Sequence, residues 1–192
     1  MKSLTPTSGT PKVSGAVVID QIDIATEEFG ADVVKRARET LPREMQSALS
    51  EVLAISWIDV TTFMELKNAI ARELGRDHIE FQRWLVRHAI GRTIGKFWRA
   101  LLVRIWDGAI VKRAPIIYSK SFDVGKATVV SFTDGHAELV VTGWPDMPEY
   151  DAIGLSAGIE ALMEYSGRPG AHVKFTRSAE KISFFITWRP RP

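Results

Sequence analysis

Cysteine is absent from this 192-residue chain, which excludes disulfides, thiolate metal sites, a cysteine nucleophile and thioester-linked lipids. An apolar run long enough to cross a membrane is missing too, so no transmembrane segment is expected. The N-terminus is polar and rich in Pro, Ser, Thr and Gly, unlike a secretory signal, and reads as a loose arm over 1–14. Charge of one sign is scarce: a formal net charge of +2 gives the chain as a whole no reason to seek a polyanion. These absences fit a cytoplasmic protein. With 45% apolar residues the chain has the means to bury a core of its own, and its length favours one domain, taken as 15–188, followed by a short tail at 189–192.

The clearest local signals lie at the C-terminal end. Ile153, Leu155, Ile159 and Leu162 recur at helical spacing, while Gly154, Ala157, Gly158 and Ala161 leave a flat stripe suited to close packing against a sheet. Gly167 and Pro169 stop that helix. Val173 and Phe175, then Ile182, Phe184, Ile186 and Trp188, alternate with polar residues, which predicts a hairpin with one buried face. Upstream, Asp134–Gly135 is a two-residue hairpin turn. Centring on it pairs Phe132 with Ala137, Ser131 with Glu138, Val130 with Leu139 and Thr128 with Val141.

The remainder is mostly helical. Gly15 to Ile24 alternates in a β-like way, and Thr26 to Leu41 and Arg43 to Ala54 read as helices. Ile55 to Ile58 is a link, and Asp59 or Thr61 caps a helix carrying Phe63, Leu66, Ile70 and Leu74. From Asp77 onward Ile90, Ile94, Phe97, Leu101 and Ile105 form one helical face; Gly91 and Gly95 either break the tract or admit a neighbouring backbone, and a break is favoured because each Gly weakens a helix by about 1 kcal/mol. Pro115 to Phe122 reads as a strand. The expected architecture is α+β: N-terminal helices packed on a twisted antiparallel sheet of about five strands, with a crossing helix over 150–165.

Few residues carry a chemical signal. Gly154–Leu155–Ser156–Ala157–Gly158 spells G-x-S-x-G, yet it lies inside a predicted helix, and the Pro-rich segment before it is no buried strand, so packing is preferred to a nucleophile. Gly91–Arg92–Thr93–Ile94–Gly95–Lys96 is one residue short of a phosphate loop and has Phe97 where Ser or Thr belongs. The four histidines, His78, His88, His136 and His172, share no ligand spacing, and no metal or cofactor is expected. Between Arg72 and Arg113 ten basic residues face four acidic ones. Arg83, Arg87, Arg92 and Lys96 are therefore candidates for contact with an acidic partner, though a solvated helix face is the preferred reading and nucleic acid is disfavoured. Six tryptophans are many for this length, and aromatics at the end of the helical tract could line a groove.

Several stretches resemble an uncharacterised myxobacterial family of about two hundred residues: Ser56–Trp57–Ile58–Asp59, Leu74–Gly75 before a Phe/Trp-containing tract, Tyr150–Asp151–Ala152–Ile153–Gly154, Gly170–Ala171–His172–Val173–Lys174 and Ile186–Thr187–Trp188. That family is distantly similar to the superfamily of 4-vinyl reductase domains, haem-based nitric-oxide sensors and small subunits of the TRAPP complex. The resemblance implies a TRAPP-small-subunit-like fold and a non-catalytic small-molecule-sensing or protein-assembly module, with a homodimer or protein partner expected. An apolar ligand would sit between helices and sheet, lined by Phe97, Trp98, Leu101 and Phe122. The haem sensors' Tyr-x-Ser-x-Arg signature is missing, since Tyr118–Ser119–Lys120–Ser121–Phe122 departs from it, so haem is not expected.

Overall fold

A computed structural model of the chain describes residues 9–102 and 111–190, with side chains described for all of these except 95–102. It opens with β1 (Lys12–Ser14), three helices, α1 (Gly15–Phe29), α2 (Ala31–Glu39) and α3 (Arg43–Ser50), and β2 (Trp57–Asp59). Two longer helices follow, α4 (Val60–Glu73) and α5 (His78–Leu102), then α6 (Ala114–Ser121) and the hairpin β3 (Lys126–Thr133) and β4 (His136–Thr142). The helix α7 (Glu149–Tyr165) leads to the last hairpin, β5 (His172–Arg177) and β6 (Lys181–Thr187).

Among the described residues the main sheet has four antiparallel strands in the order β3-β4-β6-β5, not about five. The difference is Pro115–Phe122: its β-branched Ile116 and Ile117 look strand-like, but Pro115 pre-sets the first turn of a helix, and α6 buries Tyr118 while leaving both isoleucines exposed. Gly15–Ile24 is likewise helical. Its Val18, Ile22, Ala25 and Phe29 recur at i, i+4, i+7 and i+11, and that stripe outweighs the short alternation. Gly15 is required there because its N–H donates to the Ser56 carbonyl at 2.7 Å, and a Cβ would strike the Leu53 carbonyl.

Lys12–Ser14, which the sequence places in the loose arm, pair as β1 with β2, and Val13 is buried and bridges to Phe122. In the β3–β4 hairpin the expected pairs Phe132–Ala137 and Ser131–Glu138 form. A bulge at Val130 then shifts the register, so Leu139 faces Val129, and Val141 faces Ala127 instead of Thr128. The bulge turns Val130 out to solvent.

Helix α5 runs without a break from His78 to Leu102. Gly91 is explained by close approach, because a Cβ there would come within 2.7 Å of the Tyr165 hydroxyl on α7. Helix α7 packs mainly on α5 and also on β5. Two of its small residues serve the helix pair: Gly154 lies against the Gln82 amide, and Gly158 lies 3.3 Å, measured from an added Cβ, from Val86 Cγ1. One core joins Leu66 and Ile70 of α4, Phe81 and Leu85 of α5, Val141 of β4, and Ile182 and Phe184 of β6. Each such side chain contributes about 1.5–3 kcal/mol by leaving water. Among the described residues no helix is long and apolar enough to cross a membrane.

Candidate functional site

Helix α5 packs against α1, α4 and α7. Three of the basic residues singled out in the sequence are held by carboxylates, two on its α7 side and one on its α1 side. Arg83 donates to Glu160 Oε2 at 2.7 Å, Arg87 pairs with Glu164, and Arg92 reaches Glu27 at 3.1 Å and Asp20 at 3.7 Å. The i, i+4 spacing of Arg83 and Arg87 matches that of Glu160 and Glu164, so the two helices are cross-linked twice in register. Glu160, only 5% exposed in its side chain, also accepts the Val173 N–H at 3.0 Å and lies 3.4 Å from His172 Nδ1, which ties α5, α7 and β5 together. These arginines are therefore committed within the fold. Lys96 lies on α5, but its side chain falls outside the described residues.

Of the expected groove lining, the side chains of Phe97, Trp98 and Leu101 also fall outside the described residues. Phe122 is described: half-buried, it lies 5.4 Å from the ring centres of both Tyr118 and Trp144, so three aromatics form one wall beside β3. The Tyr118 hydroxyl donates to the Val124 carbonyl at 2.9 Å, and burial pushes its pKa up.

A buried polar group sits where α4, α5 and α7 meet. Lys67 is 3% exposed, and its ammonium lies 4.4 Å from the Phe63 ring centre and 4.7 Å from that of Tyr150. Burial lowers its pKa to about 8, against the pull of Asp151. Asp151, 7% exposed, is shifted up by burial, with Lys67 acting the other way. Asp151 Oδ2, the Tyr150 hydroxyl and Gln82 Oε1 have no hydrogen-bond partner among the described residues. The His78 ring stacks on Tyr150, 6.3 Å away centre to centre and nearly parallel to it. Sequence reasoning missed the cluster, although a signal was there: Lys67 falls in the apolar phase of α4, at i+4 from Phe63 and i+1 from Leu66.

A third feature lies at the start of α5, which Asp77 caps by accepting the N–H groups of Ile79 and Glu80 at 2.9 and 3.0 Å. Those bonds hold the Asp77 carboxylate below its ordinary pKa. Phe29 from the end of α1 lies 6.2 Å from Phe81 and 5.0 Å from Trp84, ring centre to ring centre. The Arg76 guanidinium rests over Phe29 at 4.8 Å and over Trp84 at 5.8 Å. Beside it is a surface pocket of about 400 Å³ lined by Gly75, Arg76, Asp77, Glu80, Phe81 and Trp84. Phe81 and Trp84 read from sequence as core only, because the contribution of Phe29 comes from a distant helix.

The motifs with catalytic spelling are both helical. Ser156 is buried, and its hydroxyl donates to the Ala152 carbonyl one turn back at 2.9 Å, on α7 and not on a strand-to-helix bend. The Gly91–Lys96 segment lies inside α5, where its amides are bound within the helix and cannot cradle a phosphate.

The architecture is shared with solved structures. An H-NOX protein from K. algicida in its Fe(II) unliganded form superposes with a TM-score of 0.64 at 11% identity, covering 93% of this chain and 97% of that one. An oxygen-binding H-NOX domain related to soluble guanylate cyclases, in its oxygen complex, gives 0.63 at 11% identity over 92% and 96%. The H-NOX protein of T. tengcongensis, as a point mutant, gives 0.63 at 12% identity over 92% and 98%. No protein-family model matches the sequence, and no curated protein matches it significantly. The chain thus has an H-NOX-like α+β fold, and at this identity the likeness extends to the fold alone.

Haem does not fit the residues present. All four histidines are described, and each is at the surface or on a strand's polar side: His78 beside Asp77, His88 within 2.8 Å of the Trp84 carbonyl, His136 in register with Thr133 and Thr187, His172 beside Glu160. None enters the core, and there is no cysteine to take an imidazole's place as an iron ligand.

Proposed function

We propose that this chain is a non-catalytic small-molecule-sensing module that uses an H-NOX-like scaffold without haem, its apolar ligand held between α5 and the sheet. The carrying observation is the pairing of a fold shared along more than nine-tenths of the chain with four histidines that all avoid the core. Phe122 lines the groove together with Phe97, Trp98 and Leu101 of the sequence reading, and the buried Tyr118 and Trp144 hold its ring in place from behind. Absence of catalysis is part of the reading, and it draws support from the helical, internally bonded Ser156. The resemblance of the C-terminal segment, Tyr150–Gly154 and Gly170–Lys174, to the myxobacterial family is part of this reading.

Native mass spectrometry of protein purified from its own host tests the proposal. The expected result is a retained apolar adduct that Phe122→Ala diminishes, and the same spectrum reads whether the chain is a dimer. A clean apo mass, or a stoichiometric haem adduct, would overturn it. The acidic-partner reading for Arg83, Arg87, Arg92 and Lys96 is set aside because the three described arginines are already paired.

A further inference from the structure

The aromatic box at the start of α5 stands apart from the groove just proposed, and its geometry has the character of a ligand site. Two rings, Phe29 and Trp84, lie 5.0 Å apart at 50°, and one flat cation rests over both. That cation belongs to Arg76, which makes no ion pair among the described residues although Asp77 is its neighbour and Glu80 lies four residues on. A guanidinium that leaves adjacent carboxylates for ring faces shows what the rings accept: a planar, weakly hydrated cation stacks on them at little desolvation cost. Glu80 is left exposed and, among the described residues, without an ion pair beside a pocket of about 400 Å³, room for a second group of that size.

We propose that this box is a recognition site for a guanidinium-bearing ligand, with Phe29 and Trp84 taking the planar cation, Glu80 receiving its N–H groups, and Arg76 serving as a built-in occupant that the ligand displaces. Charge complementarity commits the site to a cation, because Asp77 and Glu80 are the charged groups at its rim besides Arg76 itself. Asp77 remains ionised over the physiological range, as its capping bonds favour the charged form. The bland alternative is that Arg76 merely covers two rings.

The two readings part on the effect of removing Arg76. Isothermal titration of the full chain with agmatine should detect weak binding in the wild type. Arg76→Ala should tighten it about tenfold, since the competitor in cis is gone, an effect of the size of one cation–π contact. Trp84→Leu in the Arg76→Ala background should abolish binding, Glu80→Gln should weaken it several-fold, and cadaverine, a flexible diamine, should bind less well than agmatine. Acetyl-arginine-amide in parallel separates sources: equal affinity places the ligand on a peptide, whereas binding of agmatine alone makes it a free small molecule. Arg76→Gln backs up the alanine variant, and circular dichroism checks that each is folded. No binding to either folded Arg76 variant at millimolar agmatine, or binding weakened by loss of Arg76, would overturn the proposal.

Discussion

Two carboxylates buried on the same helix, Glu160 and Asp151, have opposite fates. Glu160 reaches a guanidinium, a backbone N–H and an imidazole, so its burial is compensated on three sides. Asp151 has a lysine for company at a distance beyond an ion pair, and one oxygen with no partner among the described residues. Burial costs a carboxylate the same hydration in both places; the difference is whether the fold returns it. The α5–α7–β5 junction is thus a fastening, whereas the α4–α5–α7 junction holds unspent polar capacity.

That contrast has measurable edges. Trp188, buried against Phe132 beside Gly135, supplies the scale: Trp188→Ala should cost about 3–5 kcal/mol in urea unfolding and do so nearly independently of pH. At the Lys67–Asp151 junction the sign depends on pH. The folded-state pKa of Lys67 lies near 8, below the unfolded value of 10.5, so between the two the unfolded chain binds more protons and stability climbs with pH, by about 3 kcal/mol in all. Asp151 is shifted upward instead, so its contribution declines as pH rises through the range above 3.8. Stability should therefore sag near neutral pH and recover above 8. Lys67→Met should erase the alkaline recovery; a recovery that persists in the variant would remove the contrast.

At the satisfied junction, Glu160→Ala should cost about 2 kcal/mol, chiefly because the Val173 N–H loses its acceptor while the half-exposed Arg83 can turn to water. If Glu160→Ala were milder than Asp151→Ala in the same unfolding series, the assignment of fastening and reserve would have to be exchanged. Ser156→Ala should change stability by less than about 0.5 kcal/mol, since its hydroxyl bonds only to its own helix. A large loss of some activity with that variant would instead reopen the catalytic reading.

The C-terminal half was legible because its turns are written in residue chemistry: Asp134–Gly135 centres one hairpin, and Gly167 and Pro169 end α7. The N-terminal half was less so. Gly15–Ile24 and Pro115–Phe122 carry β-branched residues whose local preference is overruled by packing, and the marks that would have corrected the reading, an i, i+4, i+7 stripe and a proline in a first turn, are weaker than alternation to the eye. The polar cluster and the aromatic box were illegible for a further reason: each is assembled from helices far apart in sequence, Lys67 with Asp151 and Phe29 with Trp84, and no spacing rule links them.

The bulge at Val130 also decides how this molecule meets its own kind. It falls on β3, an outer strand of the sheet, and interrupts the regular row of amides and carbonyls along that margin. On the opposite margin β5 presents His172, Lys174 and Arg177 to water. With one rim kinked and the other charged, neither offers a straight apolar template, so crowded chains have no easy route to zipping rim against rim into fibres.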